Sequence, residues 1–162
     1  MHFQFPPWVT PSPKTFAHIE ECAGGLRGYH LATEFRQQSW FDETNREATL
    51  AFERQHGFAH VVVDAPQGFK NSVPQVWEAA SPKLAIVRLH GRNAETWNVR
   101  GTTAASDRFS YDYPDTELAK LADKIDQLAE KVELVQAIFN NNYGDQGQRN
   151  AKTLKRLLAY CA

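Results

Sequence analysis

Two short runs, Ala59–Val63 (AHVVV) and Leu84–Leu89 (LAIVRL), apolar on both strand faces apart from His60 and Arg88, constrain this chain more than any other feature. A strand with one wet face alternates apolar and polar residues, whereas an unbroken apolar run belongs to a strand buried on both faces. Burial on both faces calls for a parallel sheet covered by helices, and the flanking sequence supplies the helices. His2–Phe5 reads as a strand end stopped by Pro6-Pro7, and Ser12-Pro13 as an N-cap and first helical position. That helix runs to about Cys22 and ends at Gly24-Gly25. Tyr29–Phe35 reads as a strand. Asp42 caps a helix over Glu43–Gln55, with Gly57 as its stop signal. Asp115–Val132 carries Leu118, Leu121, Ile125, Leu128 and Val132 at helical spacing. Val135–Phe139 is a strand, and Gly147–Tyr160 a closing helix with Leu154, Leu157 and Leu158 on one side. The alternation predicts an α/β fold with a parallel sheet and right-handed crossovers, and 162 residues suit a single domain over 1–162.

Composition removes several function classes. A net charge of −1 gives no global attraction to nucleic acid or an anionic membrane. No apolar run approaches the length of a membrane span, and MHFQFPPWVTPSP lacks the basic and apolar regions of a signal peptide. Two cysteines, Cys22 and Cys161, are too few for a disulfide framework and fit a reducing cytoplasm. The six histidines show neither HxH nor HExxH spacing, and no P-loop or dinucleotide motif occurs. No metal site is expected, and no cofactor is legible.

Chemistry-bearing residues gather where strands end. LAIVRLHGRN (Leu84–Asn93) and VQAIFNNNYGDQGQRNA (Val135–Ala151) each turn from apolar residues into Arg, His, Asn and Gly. Side chains alternate faces along a strand, so Glu34 shares a face with Arg36, and Arg88 with His90. Asp64 ends the VVVD strand and Asn140 the AIFN strand. These six polar residues are expected to meet at one end of the sheet with Glu34, Asp64, Arg88 and His90 in mutual reach. Buried charges need partners, so the same residues read equally well as an ion network that holds the strand ends together. Gly91–Tyr113, rich in Arg, Asn, Thr and Tyr, is the longest irregular stretch. Trp40 and Trp97 read as packing residues.

EFRQQSWF (Glu34–Phe41), VVVDAP (Val61–Pro66), VRLHGRN with Trp97 following, YDY (Tyr111–Tyr113) and FNNNYGDQGQRNA (Phe139–Ala151) together resemble the YecE-like family, domain of unknown function 72. Its characteristic residues fall at Glu34, Arg36, Trp40, Asp64, Arg88, His90, Gly91, Arg92, Asn140, Tyr143, Gly147 and Asn150. Asn142 stands where the family usually has a bulkier residue. The resemblance implies a TIM-barrel-type fold and transfers no activity. A complete barrel needs about 250 residues. The chain opens on HFQFPP, which resembles the family's fourth strand, so an incomplete barrel covering about strands 4 to 8 is expected. Its bare edges, Phe3–Phe5 and Val135–Phe139, invite self-association.

Three functional expectations follow. The first is an enzyme acting on an anionic or phosphorylated small molecule, with Glu34, Asp64 and His90 as acid–base candidates and Arg36, Arg88 and Arg92 binding the anion. Trp97, Asn140, Tyr143 and Asn150 complete its binding set. Arg88 and Arg92 flank His90-Gly91, and Gly147 opens the last helix, whose N-terminus favours anions. The second is a nucleic-acid-binding or phosphodiester-processing protein with a rim of Arg92, Arg100, Arg108, Trp97, Tyr111 and Tyr113. The third is a non-catalytic or truncated remnant.

Overall fold

The computed structural model describes residues 1–99 and 105–160. Within them, five strands form one parallel sheet: β1 (His2–Gln4), β2 (Ala32–Glu34), β3 (Ala59–Asp64), β4 (Ala85–Leu89) and β5 (Val135–Phe139). Their spatial order is their sequence order, β1-β2-β3-β4-β5. With right-handed crossovers, a sheet that always advances in one direction carries all its helices on one face. Those helices are α1 (Pro13–Gly24), α2 (Arg46–His56), α3 (Asp115–Ala129) and α4 (Gln146–Tyr160).

Register assigns every strand residue to a face. Gln4 pairs with Glu34, Val63 with Arg88, and Asp64 with Leu89. Partners in register share a face. Glu34, Val61, Val63, Ile86 and Arg88 therefore occupy one face, and Thr33, His60, Val62, Asp64, Val87 and Leu89 the other. The second is the helix-covered face: Val62, Val87 and Leu89 pack with Leu118, Leu121, Ile125 and Leu128 of α3 and Leu154 of α4. A second apolar cluster centres on Trp40, whose ring stacks on Phe35 at 3.9 Å and meets Phe16 edge-on at 5.4 Å.

One buried polar knot ties α2 to the sheet. Thr33 Oγ1 donates to Glu53 Oε1 at 2.5 Å, and His60 Nδ1 lies 2.9 Å from Glu53 Oε2. His60 Nε2 faces the Val76 carbonyl at 3.2 Å. All three side chains are buried between α2 and the sheet, so they staple the helix to β2 and β3.

Several boundaries differ from the sequence reading. β2 covers only Ala32–Glu34: Tyr29 is exposed ahead of it, and the Met1 ammonium donates to the His30 carbonyl at 2.6 Å. α2 starts at Arg46 rather than Glu43. Asp42 Oδ1 instead accepts from the backbone N–H groups of Thr44 and Asn45, closing a turn ahead of the helix. The Ser12 cap is as expected: its Oγ accepts from Thr15 N at 3.1 Å.

Candidate functional site

At the C-terminal strand ends, the face bearing Glu34 carries a compact charged cluster. Glu34, the last residue of β2, is fully buried. Arg88 Nη1 donates to its Oε2 at 2.6 Å and to Gln4 Oε1 at 2.8 Å. His2 Nε2 approaches Oε2 at 3.2 Å, and Arg36 Nε lies 3.8 Å from Oε1. Burial alone raises the Glu34 carboxyl, but the approach of His2 and His90 and the charge of Arg88 outweigh it and hold it well below the usual carboxylate range. Glu34 is thus an anionic anchor and a poor proton acceptor.

The hydrogen on His90 can be placed by following the bonds. Arg88 Nη2 donates to Asn140 Oδ1 at 2.9 Å, which turns Asn140 Nδ2 toward His90 Nδ1 at 3.2 Å. Nδ1 must therefore accept, and neutral His90 carries its hydrogen on Nε2. Burial lowers the His90 pKa against the opposing pull of Glu34, which keeps the ring neutral at pH 7. Nε2 sits 3.5 Å from Glu34 Oε1, and each of these buried atoms lacks a hydrogen-bond partner. The result is a preorganised N–H donor beside a carboxylate that it does not fully engage.

The relay yields a prediction. Asn140→Asp puts an acceptor against Nδ1, so His90 is expected to move its hydrogen to Nδ1 and to protonate at higher pH than in the wild type. Nitrogen-15 NMR of the imidazole during a pH titration reads both changes. An unchanged tautomer and titration would refute the relay.

Arg36 is the least engaged guanidinium here. It lies 5.9 Å from the Trp97 ring centre. Among the described residues Glu34 is its nearest carboxylate. Burial, and repulsion from Arg88 and Arg108 against the pull of Glu34, lower its pKa. An anion bound beside Arg36 would relieve that repulsion.

Asp64 leads a separate cluster on the helix-covered face. Arg92 clamps it, with Nη2 at 2.8 Å and Nε at 3.0 Å from Oδ1, while Arg92 Nη1 reaches Glu117 Oε2 at 3.0 Å. Gln75 also donates to Asp64. Tyr113 donates its hydroxyl to Asp64 Oδ2 at 2.5 Å and accepts the Gly91 N–H at 2.9 Å. Burial and the Asp64 charge push the Tyr113 hydroxyl far above its ordinary range, so it remains an O–H donor. Tyr111, bonded to Glu117, is pushed up to about 12, by burial first and then by that carboxylate. Asn150 closes the cluster, taking the Tyr113 N–H at 3.2 Å and donating to its carbonyl at 3.1 Å. Asp64 thus holds the turn that carries His90.

Among the described residues, no helix is long and apolar enough to cross a membrane, and no group of three or more His, Cys, Asp or Glu is placed to hold a metal ion. The sequence profile described as "Protein of unknown function DUF72" matches residues 1–161. The chain belongs to the DUF72 family. It is 34% identical over 158 residues to the UPF0759 protein YunF of Bacillus subtilis (strain 168), covering 96% of this chain and 56% of YunF. It is also similar to a DUF72 family protein from Enterococcus faecalis V583, with TM-score 0.92 and 28% identity over 98% of this chain and 58% of that one. A DUF72 family protein from Thermotoga maritima MSB8 gives TM-score 0.86 and 32% identity over 98% and 56%. The DUF72 chain therefore spans little more than half the length of these relatives.

Against the sequence reading, Glu34, Arg36, Arg88, His90 and Asn140 do come together in this DUF72 chain. Asp64 and Arg92 do not join them. Asp64 pairs in register with Leu89 and so faces opposite to Arg88. Arg88 and Arg92 consequently form no joint anion clamp, and the carboxylates beside each occupy much of its donor capacity. Trp97 and Tyr113 are each only 2% exposed, so they offer no stacking rim to nucleic acid. Tyr143 is exposed, and Asn150 is buried, bracketing the Tyr113 backbone. Arg100 and Cys161 lie outside the described residues. His2 and Gln4 were missed by the sequence reading; only the β1–β2 register, Gln4 opposite Glu34, reveals them.

Proposed function

We propose that the Glu34 face at the strand ends is the mouth of a barrel-type site that binds a small anionic molecule, most simply a phosphorylated one, and acts on it through His90. The observation that carries this reading is the unpartnered pair of Glu34 Oε1 and His90 Nε2, buried beside an under-engaged Arg36. Arg36 supplies charge-assisted donors to the anion. The His90 Nε2–H donates to an oxygen of the bound molecule, where it stabilises developing negative charge as a neutral electrophile. Glu34 holds the cations in place and does not take a proton. Position at the C-terminal ends of parallel strands, where α/β folds bind ligands, supports the same reading.

The test is calorimetric titration with inorganic phosphate, sulfate, a sugar phosphate and a short oligonucleotide. Arg36→Ala is expected to weaken phosphate binding by about tenfold or more, the effect of losing one hydrogen-bonded charge. Arg54→Ala is expected to leave mouth binding unchanged, because Arg54 sits on the outside of α2 paired with Glu47 and Glu78. No saturable anion binding, or equal affinity in wild type and Arg36→Ala, would refute the reading. A steep salt dependence with the oligonucleotide alone would favour a nucleic-acid ligand instead.

A further inference from the structure

On the helix-covered side, a cleft of about 390 Å³ opens between the end of β3, the segment after β4 and α3. Ala65, Pro66, Ala94 and Leu121 give it apolar walls, and Arg92, Lys120 and Lys124 line it with three cations. The volume is that of a small-molecule site. The charge balance is uneven. Arg92 already holds both neighbouring carboxylates, Asp64 and Glu117. Among the described residues, neither Lys120 nor Lys124 has a carboxylate within ion-pair distance. Lys124 sits over the Trp77 ring, 5.2 Å from its centre.

Lys120 and Lys124 are four residues apart on α3, so their side chains rise from one side of the helix, one turn apart. Two uncompensated ammonium groups match a dianion better than a monoanion, and lysine serves phosphate well as a point charge. Arg92 retains part of its five-donor capacity after its three acceptor atoms are counted. The apolar walls beside this cationic edge suit a flat, uncharged body attached to the phosphate.

We infer that this outer cleft binds a small phosphate monoester with an apolar body, held by Lys120, Lys124 and Arg92, at a site separate from the mouth. This does not rest on the function proposed above, since the two sites share no residue and lie on opposite faces of the sheet.

Phenyl phosphate is the probe, with inorganic phosphate and phenol as comparisons, titrated into the intact chain and followed by amide chemical shifts. Saturable binding is expected, with shifts at Gln67, Ala94, Lys120 and Lys124. Phosphate alone should bind more weakly and phenol not measurably. The Lys120→Ala/Lys124→Ala double variant, altered only at exposed positions, should lose at least about tenfold in affinity. Arg36→Ala should leave phenyl phosphate binding at the cleft intact. The inference would be overturned by no saturation up to about 10 mM, by equal affinity in the double variant, or by loss of binding in Arg36→Ala. Phenol binding as tightly as phenyl phosphate would also overturn it, since the cations would then contribute nothing.

Discussion

Glu34→Ala is expected to destabilise the chain by about 3–5 kcal/mol, the cost of leaving buried charge without its partner. Arg88 loses its 2.6 Å contact, and Arg36 and His2 lose the only carboxylate within ion-pair distance among the described residues. Denaturant unfolding measures the change. Replacing both partners, Glu34→Leu with Arg88→Met, is expected to recover much of the loss, because matched apolar groups remove the stranded charge. The same cluster fixes the pH dependence. Glu34 has a depressed native pKa, so its contribution is present above the ordinary glutamate range and is lost as pH falls toward the native value. His90 is also depressed, so its contribution is present above about pH 6.5 and is lost as pH falls below it. Stability should therefore decline from near-neutral pH downward, with a gentler decline below about pH 4.5 in Glu34→Gln. Flat wild-type stability between about pH 7 and 4.5 would contradict the His90 assignment, and no further decline below about pH 4.5 would contradict that of Glu34.

The fold was legible because it rests on local patterns. Doubly buried strands show as unbroken apolar runs, and α3 shows as leucines at helical spacing, with no need for tertiary information. The candidate site was legible most securely where two site residues lie two apart along one strand and its extension. Arg88 and His90 share a face whatever the register, so parity alone placed them together. Asp64 is a single residue at its strand end. Its face depends on whether it pairs with Arg88 or with Leu89, and the observed pairing is with Leu89. Register is set by packing between strands, which one sequence does not display. Arg92 failed for a related reason: β4 ends at Leu89 and Gly91 takes φ +86°, so strand parity stops applying. Tyr113 shows the opposite case. It read as an exposed aromatic in an irregular stretch, yet its hydroxyl lies in the interior, bridging Asp64 and the Gly91 N–H.

Gly91→Ala is expected to be the most damaging single-methyl addition in this region, by roughly 2–5 kcal/mol. Two costs add. Gly91 has φ +86°, in the left-handed region that a β-carbon disfavours by about 1–2 kcal/mol. That β-carbon would also lie 2.5 Å from the β-carbon of Tyr111, and such overpacking adds about 1–3 kcal/mol. Rotation of the Tyr111 ring cannot relieve the overlap, because a β-carbon moves only with its backbone. Tyr111 is itself held, its N–H on Gln146 and its hydroxyl on Glu117. The turn must therefore shift, and with it the Gly91 N–H bond to Tyr113 and the adjacent His90 ring, so phosphate affinity at the mouth should fall along with stability. The chain carries its own control. Gly68 has φ +87° but nothing within 4 Å of its would-be β-carbon, so Gly68→Ala should bear only the conformational cost. Removing the Tyr111 β-carbon, as in Gly91→Ala/Tyr111→Gly, should return the steric part of the loss measured against Tyr111→Gly alone. If denaturant unfolding finds Gly91→Ala no worse than Gly68→Ala, the close approach of Tyr111 does not constrain this turn.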